Sequence, residues 1–327
     1  MNSCDVAVIG ESIIDLIPNK QGLYQACVGG SPYNVARALG LQQALCTYLS
    51  PFSRDSFGQL LLREIERVGV EIDPGFRVDK PTSIAMVSFD VEGSPYYQLY
   101  RDGVADREYL PSDVIKRFPR NLKLLHTGSL AIVPDDLSRI TEVLIAAKSR
   151  GILVSIDLNV RLNVVDDPEA YADGIRSLLP LCDILKASTE DLQHLGFQDD
   201  IESTINEFLE ITKGGLVAIT DGEQGACLAN RHGQVNLEAL SPEHMGDSVG
   251  AGDCFHAGMI AALCKQKSLS REWIDAAVFS DLQGVLVMAS ASAAINVSRR
   301  GCNPPTTEEV LTFVKKSAIP LHQSNLT

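Results

Sequence analysis

The sequence predicts an α/β protein built on a mainly parallel sheet, with helices on both faces and a small extra sheet. Short apolar runs of strand length alternate along most of the chain with longer amphipathic stretches. Strands separated by helices require crossover connections, and these lay helices over both faces of a parallel sheet. Two segments break the alternation, and both read as β-ribbons.

Taken in order, "VAVIG" (Val6–Gly10) is a continuous apolar run of strand length and reads as a buried strand. The two ribbons follow, in "SIIDLIPNKQGLYQACVGG" and "TSIAMVSFDVEGSPYYQLYRDG", with turns at Asn19–Gly22 and Glu92–Pro95. They suit pairing into one small sheet placed as a lid over a site, and they equally suit edge strands of the main sheet. Further buried strands are expected at Leu122–Thr127, Ile152–Asn159, Asp183–Ser188 and Leu216–Thr220. Helices are expected at Pro134–Ser149, Pro168–Leu179 and Ile201–Thr212. Asp135 and Asp136 open the first of these, where a helix N-terminus favours negative charge. The last third reads as helical, over Ala251–Cys264, Ser270–Ser290 and Thr307–Ser317. Ligands of such folds gather beyond the C-terminal ends of the strands.

Bulk properties narrow the function. The chain has 327 residues, 45% of them hydrophobic, which suffices for a real core. Its net charge of −14 argues against nucleic acid or an anionic membrane as partner, because phosphate surfaces demand a basic face. The eight cysteines are scattered, without a C-x-x-C pair or zinc-like spacing, which fits reduced thiols. No basic and apolar leader opens the chain, and no apolar run approaches the roughly 20 residues that span a bilayer. A cytoplasmic location is expected.

"DSVGAGDCFHAG" (Asp247–Gly258) carries the chemistry. Gly250, Ala251 and Gly252 offer nearly bare backbone at a predicted helix start. Orphan N–H groups and the helix dipole favour an anion there. Asp253 stands beside that hole, where a carboxylate would repel the guest unless it takes a proton from an attacking hydroxyl. Hole plus base describes phosphoryl transfer. An isolated G-x-G-D also suits a plain capped turn, so the surrounding motifs decide. The chain has no G-x-x-x-x-G-K-[ST] phosphate loop, and "VAVIGES" lacks the glycines of a dinucleotide fingerprint.

Those surrounding motifs run through the chain in order: "GESIIDLIP", "VGGSPYNVARALGLQ", "DLNVR", "ITDGEQGA", "DSVGAGDCFHAG" and "RRGCNPPT". Together they resemble the signatures of the ribokinase-like sugar kinases, the PfkB carbohydrate kinase family, over nearly the whole chain. The resemblance implies a three-layer α/β/α sandwich with a β-sheet lid. Residues 1–327 would then be one kinase domain, with lid strands from about 12–28 and 83–102. It implies ATP-dependent phosphorylation of a sugar hydroxyl, with Asp253 as base and Gly250, Ala251 and Gly252 as anion hole. Asp15, Gly30 and Asn34 would hold sugar hydroxyls, and Arg161 would approach the transferred phosphoryl or an acidic substrate group. Thr220, Asp221, Gly222 and Gly225 would cradle ATP.

In "STED", Ser188 stands where the ribokinase branch has asparagine, and Asp191, or its neighbour Glu190, would order water around Mg²⁺. Asp247, with main-chain oxygens around Val249, Asn296, Arg299 and Gly301, would match the family's monovalent-cation ligands. Pro305 stands where some relatives offer a serine, which bears on K⁺. "YLSPFSRDSFGQLL", "YRDGVADREYL" and "LLHTGSLAI" are most similar to the fructokinase branch, in which Arg101 would contribute to the sugar site. Fructose is the expected acceptor. 2-Keto-3-deoxygluconate and aminoimidazole riboside are the alternatives, and a non-catalytic sugar-binding regulator is a further one. A homodimer through the lid follows by analogy.

Overall fold

Side chains of a strand point alternately to its two faces, so a sheet covered on both sides needs apolar residues at every position. The computed structural model shows that rule at work. It describes residues 4–19, 21–89, 95–197, 200–242 and 244–317. The first half runs β1 (Val6–Val8), β2 (Ile13–Pro18), β3 (Tyr24–Gly29), α1 (Ser31–Leu41), β4 (Cys46–Tyr48), β5 (Phe52–Ser53), α2 (Ser56–Arg67), β6 (Glu71–Ile72), β7 (Arg77–Val78), β8 (Ser83–Phe89), β9 (Pro95–Tyr100) and α3 (Pro111–Lys116). The alternating portion follows: β10 (Leu124–Gly128), α4 (Pro134–Ser149), β11 (Leu153–Asp157), α5 (Pro168–Leu178), β12 (Ile184–Ser188), α6 (Thr189–His194), α7 (Ile201–Ile211) and β13 (Leu216–Thr220). A hairpin of β14 (Ala226–Asn230) and β15 (Gly233–Leu237) precedes α8 (Ala251–Lys265), α9 (Arg271–Ala276), α10 (Phe279–Val297) and α11 (Thr307–Lys316).

Val6, Val8, Leu124, Ile184 and Leu216 face one apolar layer, shared with Met259 of α8 and Leu286 of α10. Their neighbours Ala7, Leu125, Leu185 and Val217 face the opposite layer, with Ile140 of α4, Ile175 of α5 and Phe208 of α7. The nine-stranded sheet has the order β15-β14-β13-β12-β11-β10-β1-β4-β6. It is parallel from β6 to β13, and only the last hairpin runs antiparallel. The chain builds outward from β1 through β4 and β6, then returns to the other side of β1 at β10. That reversal leaves a crevice beyond the ends of β1 and β10, the usual ligand position in such sheets.

The two ribbons form a separate four-stranded sheet, β3-β2-β8-β9, rather than edges of the main one. β2 and β8 pair in parallel, with Asp15 opposite both Ala85 and Cys27. Pro95 apart, the expected Glu92–Pro95 turn lies outside the described residues, as does Lys20 of the Asn19–Gly22 turn.

The single helix expected over Ser270–Ser290 is two helices. Ala277 and Val278 are extended, and the Val278 N–H donates to Asp281 Oδ2 at 3.0 Å, capping α10. Asn230, buried on β14, donates its amide to the carbonyls of Ile274 (3.1 Å) and Ala277 (2.9 Å), so the end of α9 is captured from across the sheet edge. All eight cysteines are free thiols. No helix among the described residues is long and apolar enough to cross a membrane.

Asn230→Ala removes both donors and leaves two carbonyls without them. The expected loss is about 2 kcal/mol of unfolding free energy, read by urea denaturation; an unchanged midpoint would show that the break in this helix is set locally.

Candidate active site

Four strand ends of the main sheet, β1, β11, β12 and β13, and the mouths of α1, α6 and α8 build the site. Gly250 caps α8 in the left-handed region (φ 75°), and a side chain there would run into the Cys302 sulfur. The next three residues, Ala251, Gly252 and Asp253, form the first turn of α8. The Ala251 N–H is not open, because it closes a turn onto the Ser248 carbonyl at 3.1 Å. Of the expected anion hole over Gly250, Ala251 and Gly252, Ala251 is therefore engaged, while the N–H groups of Gly250, Gly252 and also Asp253 have no acceptor among the described residues.

Asp253 is 7% exposed and held by α1 at both oxygens. Ser31 Oγ donates to Oδ1 at 2.6 Å and Asn34 Nδ2 to Oδ2 at 2.8 Å. Burial raises its pKa; the Ser31 and Asn34 hydrogen bonds and the charges of Lys186 and Arg161 oppose that rise. Asn34 Oδ1 is buried without a partner. Gly30, before α1, has φ 100°, and a Cβ there would lie 2.5 Å from the Glu11 carbonyl oxygen. The loop leaving β1 and the mouth of α1 are therefore in direct backbone contact. Glu11 completes that joint: its Oε1 accepts the Ser31 N–H at 3.0 Å, and burial pushes its carboxyl up to about 7 against the pull of Arg101.

Lys186 lies beneath the α8 turn. A Cβ on Gly252 would sit 3.1 Å from its Nζ, and Nζ is 3.0 Å from Asp157 Oδ1, with both side chains buried. Burial alone would favour the neutral amine; the carboxylates of Asp157, Asp191 and Asp253 reverse this and raise the lysine. Burial pushes Asp157 up to about 7 against the pull of Lys186, and the carboxylates of Asp191 and Asp253 add to the rise. Behind Asp157, Ser155 Oγ bridges His256 Nε2 (2.7 Å) and His126 Nδ1 (3.1 Å). Burial holds both imidazoles neutral, His126 down to about 3, so they add no charge to the cluster.

The structure distributes the remaining candidates unevenly. Asp15 is half-buried on β2, pushed up to about 6 by desolvation, with no charged neighbour altering that shift. Arg161 is exposed, near enough to Asp253 and Tyr171 to act on their titration. Arg101 is not free: it donates to Asp106 Oδ2 at 2.8 Å and to the Leu130 carbonyl at 3.1 Å. It borders a cleft of about 760 Å³ between the small sheet and the strand ends, lined also by Ile84, Leu99, Leu130, Val133 and Val165.

Ser188 caps α6, and Asp191 caps it in return, Oδ2 accepting the Ser188 N–H at 2.7 Å. Asp191 Oδ1 accepts the Val160 N–H at 2.7 Å and so steadies the loop bearing Arg161. Both Asp191 oxygens thus already carry backbone donors, while Glu190 is exposed. A metal keeping its own waters suits this pair better than one bound directly. Thr220 ends β13, and the Asp221 N–H closes onto the Gly225 carbonyl at 2.8 Å around Gly222. Asp221 Oδ1 also accepts from Thr189 at 2.8 Å, joining the two neighbouring strand ends.

Asp247 stitches two loops together, Oδ1 to the Val249 N–H (3.0 Å) and Oδ2 to the Gly301 N–H (2.8 Å). Asn296 donates to the Val249 carbonyl at 2.8 Å, and the Arg299 carbonyl accepts the Asp247 N–H at 3.2 Å. The oxygens expected to cage K⁺ are thus largely engaged with protein donors.

Sequence reasoning missed Glu11, Ser31, Asp157 and Lys186. For Glu11 and Asp157 the available signal was an acid closing an apolar strand run, in "VAVIGE" and "ILVSID", and for Lys186 a charge inside one, in "DILKAS"; Ser31 carried none.

Comparison with known proteins shows the family of the chain. A profile described as pfkB family carbohydrate kinase matches residues 4–309. A fructokinase of Rhizobium leguminosarum bv. trifolii is 28% identical, over 81% of each chain. An ATP-dependent 6-phosphofructokinase of Thermoanaerobacterium thermosaccharolyticum is 30% identical, over 82% of this chain and 84% of that one. The crystal structure of a Vibrio cholerae fructokinase in its fructose, ADP and calcium ion bound form superposes with a TM-score of 0.79 at 25% identity, covering 95% of this chain and 99% of that one.

Glu11→Gln keeps a carbonyl acceptor for Ser31 but abolishes titration. The folded value of Glu11, about 7, lies above the ordinary glutamate value of 4.5. Its stabilising contribution is therefore complete below pH 4.5 and lost as pH rises through 7. Between pH 4.5 and 7.5 the wild type should lose up to about 3 kcal/mol more stability than the variant, measured by urea melts at each pH. Parallel pH dependences would show that Glu11 does not titrate there.

Proposed function

The chain belongs to the pfkB family of carbohydrate kinases, and from that premise we propose that it transfers the γ-phosphoryl group of ATP to the terminal hydroxyl of fructose. The observation that carries this reading is Asp253, buried beside open backbone N–H groups with the Lys186 ammonium beneath the same turn. A migrating phosphoryl group spreads negative charge over its oxygens, and preorganised donors in a water-poor site stabilise that charge.

In this reading fructose lies between the main sheet and the small sheet, with Asp15, Gly30 and Asn34 toward its hydroxyls. ATP lies along the ends of β12 and β13, over Ser188, Thr220, Asp221, Gly222 and Gly225. Asp253 accepts the hydroxyl proton as the sugar oxygen forms its bond to the γ-phosphorus, and the bond from that phosphorus to the leaving ADP oxygen breaks. The Gly252 and Asp253 amides and Lys186 hold the charge. Asp191 and Glu190 would hold Mg²⁺ through water, and the ion would neutralise phosphate charge when bound. Residues 12–28 and 83–102 act as a lid whose closure excludes water.

Arg101 is spent on Asp106 and Arg107 on Asp136, whereas Arg161 is exposed and free to meet the transferred phosphoryl or an acidic substrate group.

The test is a panel of sugars with ATP and Mg²⁺, run with and without K⁺, following ADP and sugar phosphate. Fructose should give the highest kcat/KM, and sugar binding without ADP would point to a regulator instead. Asp253→Asn should lower kcat at least ~10²-fold while sugar binding persists; near-normal turnover in that variant removes Asp253 from the role of base.

A further inference from the structure

Asp253 carries one side-chain donor on each carboxylate oxygen. The Ser31 hydroxyl fills Oδ1 at 2.6 Å and the Asn34 amide fills Oδ2 at 2.8 Å. The two donors are not equivalent. Asn34 presents an amide that can stay in place and leaves its own buried Oδ1 without a partner, ready to accept from a sugar hydroxyl. Ser31 presents an alcohol, the same group as the acceptor. Its main chain is fixed, because Glu11 holds its N–H at 3.0 Å and the Glu11 carbonyl abuts Gly30. Its side chain alone can leave, by rotating about one bond.

We propose that Ser31 is a positioning residue whose hydroxyl stands in for the acceptor at Asp253 Oδ1 and yields that place when the sugar arrives. The proposal rests on Asp253 being the base. Its consequence is discrimination against water. A bare carboxylate oxygen beside bound ATP would align a water for hydrolysis, and an alcohol donor anchored by its own main chain competes with water for that oxygen. The alcohol itself is drawn into the same network that a sugar hydroxyl would enter, so exchange replaces one O–H···O bond with another and leaves the carboxylate satisfied throughout. Lys186 and Asp157 face Asp253 from β12 and β11, and Arg161 from the loop after β11; none of them can make this exchange, since none is an alcohol.

The experiment measures ATP hydrolysis without sugar, relative to fructose phosphorylation, in wild type, Ser31→Ala and Ser31→Thr. Ser31→Ala should raise the ratio about tenfold or more, the order expected for one charge-assisted hydrogen bond, and Ser31→Thr should return it toward wild type. A ratio unchanged in Ser31→Ala, or equally raised in Ser31→Thr, overturns the proposal. Should the variants fail to fold, a crystal structure of the wild type with fructose decides. A sugar hydroxyl on Oδ1 with Ser31 Oγ beyond hydrogen-bond reach supports it; Ser31 still donating to Oδ1 overturns it. Asp253→Asn separates the two levels: if it still phosphorylates fructose, the base assignment itself fails, and if it does not, an unchanged Ser31→Ala ratio refutes Ser31 alone.

Discussion

A carboxylate sealed from water at the start of a helix is unstable unless neighbours hydrogen-bond it or cancel its charge. Asp253 meets that demand with partners from distant parts of the chain: Ser31 and Asn34 from α1 and the Lys186 charge from β12. Satisfying one acid thus ties the first and last thirds of the molecule to the middle of the sheet. The geometry that makes the acid tolerable also places it beside the open amides of α8.

The charge balance around Lys186 follows the same logic. Asp157, Asp191 and Asp253 all bear on one buried ammonium, which stays protonated because they surround it. Asp191 accepts the Val160 and Ser188 N–H groups, while burial pushes Asp157 up to about 7 and also raises Asp253. The neutral His126–Ser155–His256 chain beneath it closes the cluster without adding charge. The result is a cation aimed at the turn where phosphoryl charge would collect, with its counter-charge kept below.

Much of this was legible in advance and some was not. The buried strands beginning at Val6, Leu124, Leu153, Ile184 and Leu216 were readable because apolar runs of that length have few other uses. Asp253 was readable because bare backbone next to an acid is chemically peculiar. Ser31 and Lys186 were not singled out, since a serine within a glycine-rich start and a lysine in "DILKAS" each have ordinary explanations. Nor was the commitment of Arg101 to Asp106 visible, although the two lie in the same short segment.

By itself the sequence determined the buried strands from Val6 to Leu216, the helices that alternate with the later ones, that the sheet would be mainly parallel, and which acid stands at a glycine-rich helix mouth. These are local matters, set by periodicity and by the lack of side chains. Tertiary structure alone decided that Ser31 and Asn34 would fill both oxygens of Asp253, that Lys186 would lie beneath Gly252, and that Ala251 would lose its amide to Ser248. It also decided that Asn230 would end a helix more than 40 residues away. Such pairings join residues up to 222 positions apart, and burial makes each donor and acceptor find its partner in space rather than along the chain.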